Sequence, residues 1–265
     1  MALEKIKVSN TTYDIKPITT INEARQPREI TEYSWGEIKN LIKNNDFKDI
    51  KVGDFKKITI KNSKGESKTL TMRVAGINTY TGIIYTVGDS TVTIKKHIDW
   101  CSDEILEKKA FFSREHNNST TSTSAPYRQS NIFKLSQSLY NTLPSDLKNN
   151  IAKKYCSLTK RYNSSGTVEK DTGIATADLD YLWLPTEYEI FGEVITGTKY
   201  FSAGAAVQYP LYEKYPQYRC KGSWLRDAAN NSTKNMCCIN EYGSLGERAC
   251  NTEYGFPVCF RIEED

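Results

Sequence analysis

Gly222-Ser-Trp-Leu-Arg-Asp227 is the segment around which this chain is best understood. Trp224-Leu225 reads as a short strand, and Arg226 with Asp227 would form a bidentate ion pair at its end that pins the adjoining loops. A second reading places Trp224 and Arg226 on a ligand site, because an aromatic face beside a guanidinium suits sugars and acidic groups. Just upstream, Pro210 and Pro216 exclude a regular strand interior. Tyr209, Tyr212, Tyr215 and Tyr218, with Tyr242 beyond, are therefore expected on exposed loops, either as a binding surface or as loop packing. Further out lie a strand-like run, Leu179-Asp-Tyr-Leu-Trp-Leu184, stopped by Pro185, a capping box at Thr186-Glu-Tyr-Glu189, and a closing strand, Val258-Cys-Phe-Arg-Ile262.

Towards the N-terminus the pattern becomes more regular. Ser34-Trp-Gly-Glu37 is a capping box, and Trp35, Ile38, Leu41 and Ile42 line one face of the helix it starts. Strands are expected at 57–60, 68–74, 82–87 and 91–94, from alternation and β-branching, with turns at Asn62-Ser-Lys-Gly65 and Val87-Gly-Asp89. Ser102-Asp-Glu-Ile-Leu-Glu-Lys-Lys109 reads as a short helix, and 117–124 as a polar loop. Ile132, Leu135, Leu139 and Leu143 mark an amphipathic helix; Leu147, Ile151 and Tyr155 mark another that begins at Pro144. Residues 1–30, polar and without periodicity, read as an extended arm that orders by leaning on something else.

The 265 residues carry 36 basic and 32 acidic side chains, a net charge of +4, intermixed without a block of five like charges. Nucleic acid is not an expected partner. The start lacks an apolar signal core, and no run of 18 apolar residues occurs further on, so the chain is expected to be made in the cytoplasm without membrane insertion. Seven cysteines, an odd number, are then expected as free thiols. The 17 tyrosines suit either a β-sheet or a recognition surface.

Three motifs in order carry a resemblance. Leu182-Trp-Leu-Pro-Thr-Glu-Tyr-Glu189 resembles the strand-to-helix corner of the formylglycine-generating-enzyme branch of the C-type-lectin fold. Ser223-Trp-Leu-Arg-Asp227 is similar to its Trp-Leu-Arg-Ser strand, and Gly255-Phe-Pro-Val-Cys-Phe-Arg-Ile262 to its closing strand. A wider set, with Trp35-Gly-Glu-Ile38, Val52-Gly-Asp54, Val74-Ala-Gly-Ile-Asn78, Leu143-Pro144 and Tyr209-Pro-Leu-Tyr212, resembles an uncharacterised domain family of prophage structural proteins and Gram-positive surface proteins. The resemblance implies an α+β fold: a C-type-lectin-like domain over 126–265, preceded by a helix and β-rich segment over 31–125 and by the arm over 1–30.

The function this resemblance implies is that of a bacteriophage virion protein, assembled from the bacterial cytoplasm onto a tail, baseplate or capsid. The arm would dock on other virion proteins, and the loops would recognise a host cell-surface glycan or protein, oligomeric display adding avidity. A decoration protein without a receptor is the alternative, and an enzyme of formylglycine-generating type a distant third. Cys237, Cys238, Cys250 and Cys259 lack that enzyme's surroundings, and no His motif supplies a catalytic base. Glu187, Glu189 and Glu193 are expected to cap and solubilise their helix. Asp227, Asn230, Asn231 and Asn240 offer oxygens, but the sugar-binding tripeptide of calcium lectins and any Cys-x-x-Cys pair are missing, so neither a metal nor a cofactor is expected.

Overall fold

The computed structural model describes residues 5–8, 11–14, 25–47, 49–112, 126–160, 173–197, 207–229, 232 and 234–265. Most of the arm, the polar stretch 117–124 and the loop at 163–166 lie outside the described residues. In chain order the strands and helices are β1 (Lys5–Val8), β2 (Thr11–Asp14), α1 (Trp35–Lys43), β3 (Phe55–Lys61), β4 (Ser67–Ile77), β5 (Ile84–Val87), β6 (Ser90–Thr93) and β7 (His97–Ala110). They continue with α2 (Pro126–Gln129), α3 (Asn131–Tyr140), α4 (Ser145–Lys148), β8 (Ile151–Ala152), β9 (Tyr155–Lys160), β10 (Gly173–Asp178), α5 (Glu187–Phe191) and α6 (Pro210–Lys214). A short 3-10 turn, Pro216–Tyr218, precedes β11 (Ser223–Ala228), β12 (Asn235–Ile239), β13 (Leu245–Ala249) and β14 (Glu253–Glu263).

The fold is α+β. One eight-stranded sheet runs in the order β13-β12-β11-β14-β7-β4-β3, with β8 also paired to β14. It joins strands from both sides of residues 125 and 126, so the β-rich segment and the C-terminal half share a sheet and a core. Its axis is the pair β7 and β14, antiparallel from His97↔Glu263 to Ala110↔Glu253. The other edge of β14 is covered in succession: Ser223 of β11 meets Gly255, Trp183 meets Cys259, and Ile151–Ala152 meet Ile262 and Arg261.

The helix expected at 102–109 is instead the second half of the 14-residue strand β7. Tertiary partners decide it: Arg73 of β4 donates to Asp103 at 2.7 Å, Thr71 donates its amide and hydroxyl to Glu104, and Ser63 donates its amide and hydroxyl to Glu107. Those cross-strand donors outweigh the local propensity to cap a helix. The helix expected from Pro144 to Tyr155 is a single turn, because Ile151 is drawn into pairing with β14 and Tyr155 starts β9. Leu179–Leu184 makes one bridge, at Trp183, rather than a strand. The capping boxes at Ser34 and Thr186 are both formed, and Gly192 closes α5 in the left-handed conformation that favours glycine.

Against one face of the central pair lies α1. Trp35 meets Trp100 of β7 and Phe260 of β14 edge-on at 5.1 and 5.5 Å, and Ile38 and Ile42 are fully buried beside them. At the far end of β7, Trp224 packs edge-on against Phe111 at 5.5 Å and Tyr254 at 5.4 Å. Residues 25–30 lean on the turn before β3. The buried carboxylate of Asp54 accepts from Arg25 Nη1 at 2.6 Å, the Arg28 amide at 3.0 Å and the Lys51 amide at 2.9 Å. Glu29 then bridges in parallel to Phe55.

Candidate functional site

The polar centre of the molecule is a buried ion network where β7, β14, α5, β11 and the turn before β9 converge. Asp99 of β7 is held by Arg261 of β14 through Nε and Nη2 at 2.7 and 2.8 Å, and Tyr209 donates its hydroxyl to the same carboxylate at 2.8 Å. Glu189, the second carboxylate, accepts from Arg226 at 2.7 Å, from the Thr186 amide at 2.8 Å, and from Lys154 and the Tyr80 hydroxyl at 2.6 Å each. Lys154 links the halves: its ammonium also donates to the Tyr209 hydroxyl at 2.5 Å and lies 3.8 Å from Asp99. Around it stand Trp183, Tyr80 and Tyr209, with ring centroids at 4.0, 4.4 and 5.0 Å, a cage that stabilises a desolvated cation.

Burial alone would push both carboxyls up. Arg226 and Lys154 overcome it and hold Glu189 down at about 2, while Arg261 and Lys154 hold Asp99 well below the usual carboxylate range. His97 beside them moves the other way. Burial, then Arg261, lowers it to about 4, so the ring is neutral, with Nδ1 donating to the Lys95 carbonyl at 2.8 Å and Nε2 accepting from the Tyr80 amide. All these groups are closed to solvent, so the network fixes the positions of the elements that it joins.

Next to it, Glu187 organises the adjoining loop by accepting from the amides of Ile195, Thr196 and Gly197 at 2.6, 2.9 and 2.6 Å. The Glu187 amide in turn donates to Asp227 at 2.5 Å. Burial pushes the Asp227 carboxyl up to about 7 despite neighbouring Arg226. A carboxyl raised in the folded state contributes stability that is present below its unfolded value of about 4 and lost as pH rises through about 7. We expect the wild type to lose stability between about pH 4 and 7 relative to Asp227→Asn, measured by urea unfolding at each pH; parallel curves over that range would refute it.

The sequence-derived candidates separate in space. Tyr209, Tyr212, Trp224 and Arg226 are buried, so the exposure expected for the first two is not met. Arg226 pairs with Glu189 rather than Asp227, because its chain neighbour lies on the other side of β11. Trp224 donates its indole N–H to the Lys109 carbonyl at 2.8 Å. Tyr215 and Tyr218 are half-buried and 5.7 Å apart; the Arg73 guanidinium lies 3.6 Å over the Tyr218 ring. Tyr242 is 87% exposed at the tip of the β12–β13 hairpin, on a turn fixed by Asn240 Oδ1, which accepts from the amides of Tyr242 and Ser244. Glu187 and Glu189 are buried and do not solubilise their helix; Glu193 is exposed.

All seven cysteines are buried, and none is joined in a disulfide. Burial raises Cys156 to about 11 and Cys238 to about 12, which leaves little thiolate at neutral pH. Among the described residues no group of three His, Cys, Asp or Glu side chains is placed to hold a metal, and no helix is long and apolar enough to cross a membrane. Asp99, Lys154 and Arg261 are not among the residues that motif and spacing single out. For Asp99 and Arg261 the available signal is a lone charge inside an apolar run, as in Ile98-Asp-Trp-Cys101 and Val258-Cys-Phe-Arg-Ile262.

A family model described as a domain of unknown function (DUF6273) matches residues 101–264, from the middle of β7 almost to the end of the chain. No curated protein and no solved structure matches.

Proposed function

The chain belongs to the DUF6273 family, and we propose that it is a surface component of a bacteriophage particle, on tail, baseplate or capsid, that recognises a host glycan or protein through its loops. The observation that carries this reading is Tyr242: a large aromatic, fully presented to solvent, on a turn already fixed by Asn240. A tyrosine displayed on a fixed turn gives contact area at low entropic cost, as recognition surfaces do. Tyr215 and Tyr218, beside Arg73, form a second half-exposed aromatic ledge. We take the scaffold as C-type-lectin-like, on the ordering of the corner at 182–189, the Trp224 strand and the closing strand β14. The carboxylates and thiols that catalysis would require are buried in structural contacts, which favours binding over chemistry.

In this reading the arm docks on the particle, and the Asp54 clasp fixes where it leaves the body. Replacing Tyr215, Tyr218 and Tyr242 together by Ala is expected to cut adsorption of assembled particles to host cells by about tenfold or more, because interface tyrosines are frequent hot spots. Unchanged adsorption with normal assembly would leave the protein as a decoration element.

A further inference from the structure

We propose that the open groove between the β3–β4 turn and α3 binds an anionic saccharide, a short sugar or polyol chain carrying phosphate or carboxylate. The proposal rests on the recognition reading and specifies its ligand class. The groove has a volume of about 470 Å³ and is lined by Ser63, Lys109, Asn131, Lys134, Leu135 and Ser138. That size suits two or three sugar units.

Three features select the ligand. Lys109 and Lys134 are exposed, and among the described residues neither ammonium has an ion-pair or hydrogen-bond partner, unlike Lys56, which caps the carbonyls of Ile30 and Tyr33, and unlike the caged Lys154. Two free cations lining one groove, Lys109 from β7 and Lys134 from α3, fit a chain with negative charges at intervals. Leu135 supplies an apolar floor, the Asn131 side-chain amide offers a donor and an acceptor, and the Ser63 and Ser138 hydroxyl oxygens, whose protons go to Glu107 and the Leu135 carbonyl, can accept from sugar hydroxyls. The groove is open, which disfavours an apolar ligand but lets a polyol keep part of its hydration.

The walls are fixed in advance. Thr142 donates its hydroxyl to the Lys61 carbonyl at 3.0 Å, tying the end of α3 to β3. The Asn131 backbone N–H donates to the Phe111 carbonyl at 2.9 Å, and the Trp224 indole N–H donates to the Lys109 carbonyl. Such preorganisation lowers the entropic cost of binding. Glu107 stands at the turn side, accepting from the amide and hydroxyl of Ser63. Its charge opposes a densely charged polyanion and so favours a sparsely charged saccharide over nucleic acid. The same end of the sheet carries the Tyr242 hairpin, because Gly255 pairs with both Lys108 and Ser223, and Ser223 with Ile239.

The test uses the full chain, titrated with a glycerol-phosphate trimer, trigalacturonate, neutral maltotriose and a single-stranded trinucleotide. We expect saturable binding of one or both of the first two, at least tenfold weaker binding of the others, and a further tenfold loss in Lys109→Glu/Lys134→Glu; Lys109→Arg/Lys134→Arg should retain binding. The preferred arm tells phosphate from carboxylate. Both lysines are exposed, so thermal unfolding of each variant should match wild type. No saturable binding of either charged trimer, binding unchanged in the double Glu variant, or equal binding of the trinucleotide would overturn the proposal. Particle adsorption separates it from the broader reading: if Tyr242→Ala abolishes adsorption and the double Glu variant does not, recognition stands and the groove falls. If the groove binds and neither change alters adsorption, the groove stands and host recognition falls.

Discussion

Glu189→Gln is expected to destabilise the protein by about 3–5 kcal/mol, the range for breaking a buried ion pair from one side. The amide keeps the volume but leaves the Lys154 ammonium and the Arg226 guanidinium without their common counter-charge, in a region closed to water. Against a total stability of roughly 5–15 kcal/mol, that is a large fraction, and the melting temperature should fall by roughly 10 °C or more. The charge arithmetic sharpens the expectation. Glu263 lies 3.6 Å from Arg261 at the partly exposed rim, but in the fully buried centre Lys154, Arg226 and Arg261 face only Asp99 and Glu189, three cations against two carboxylates. Removing a carboxylate worsens the imbalance, whereas Lys154→Met leaves two matched pairs and an apolar chain inside the aromatic cage. Lys154→Met should therefore cost less than half of what Glu189→Gln costs. Equal losses in chemical denaturation would show that the network does not act as a set of charges.

Gly255→Ala should be nearly as severe, for a steric reason. A methyl group at 255 would lie 2.3 Å from Ile105 Cγ2 and 2.4 Å from the carbonyl oxygen of Gly222. A rotamer change at Ile105 would relieve the first contact were it alone; the second is backbone, and the Gly255 amide donates to that same oxygen at 3.0 Å. Adding the methyl forces β11 away from β14 at the bridge that joins them, and a loss of about 3 kcal/mol, the upper end for overpacking, is expected. Proteolysis should then find the β11–β12–β13 segment before the rest of the sheet. A stability within about 1 kcal/mol of wild type would disprove the steric account.

Local rules govern the part of the fold that the residues declare by themselves. Ser34 and Thr186 mark their capping boxes by spacing alone, and Ile58, Ile60, Leu70 and Met72 alternate as half-buried strands must. Sequence and structure part where distant partners decide. Ser102-Asp-Glu resembles a helix start until Arg73, Thr71 and Ser63 offer donors from neighbouring strands. Lys154 looks like one of many exposed lysines, and its sequence neighbours Lys153 and Tyr155 say nothing of the carboxylates that meet it from 35 and 55 positions away. Tyr209 and Tyr212 are buried against expectation because proline rules out a strand without requiring exposure. Pro210 instead starts α6, which carries Tyr212 and Leu211 into the core.

The pairing of β7 with β14 also sets a timetable. About 140 residues separate the end of one strand from the start of the other, and at about 5–20 residues per second their synthesis takes roughly seven to thirty seconds. For that interval β3, β4 and β7 can assemble as a hairpin sheet, but β7 presents a long unpaired edge carrying Trp100 and Leu106. The ion network cannot close either, because Arg261 follows its partner Asp99 by 162 residues and is made only with β14. A nascent chain of this design is most vulnerable to sticking to its neighbours while β7 waits for β14, so yield should depend on holding chaperones and temperature more than on the stability of the finished fold.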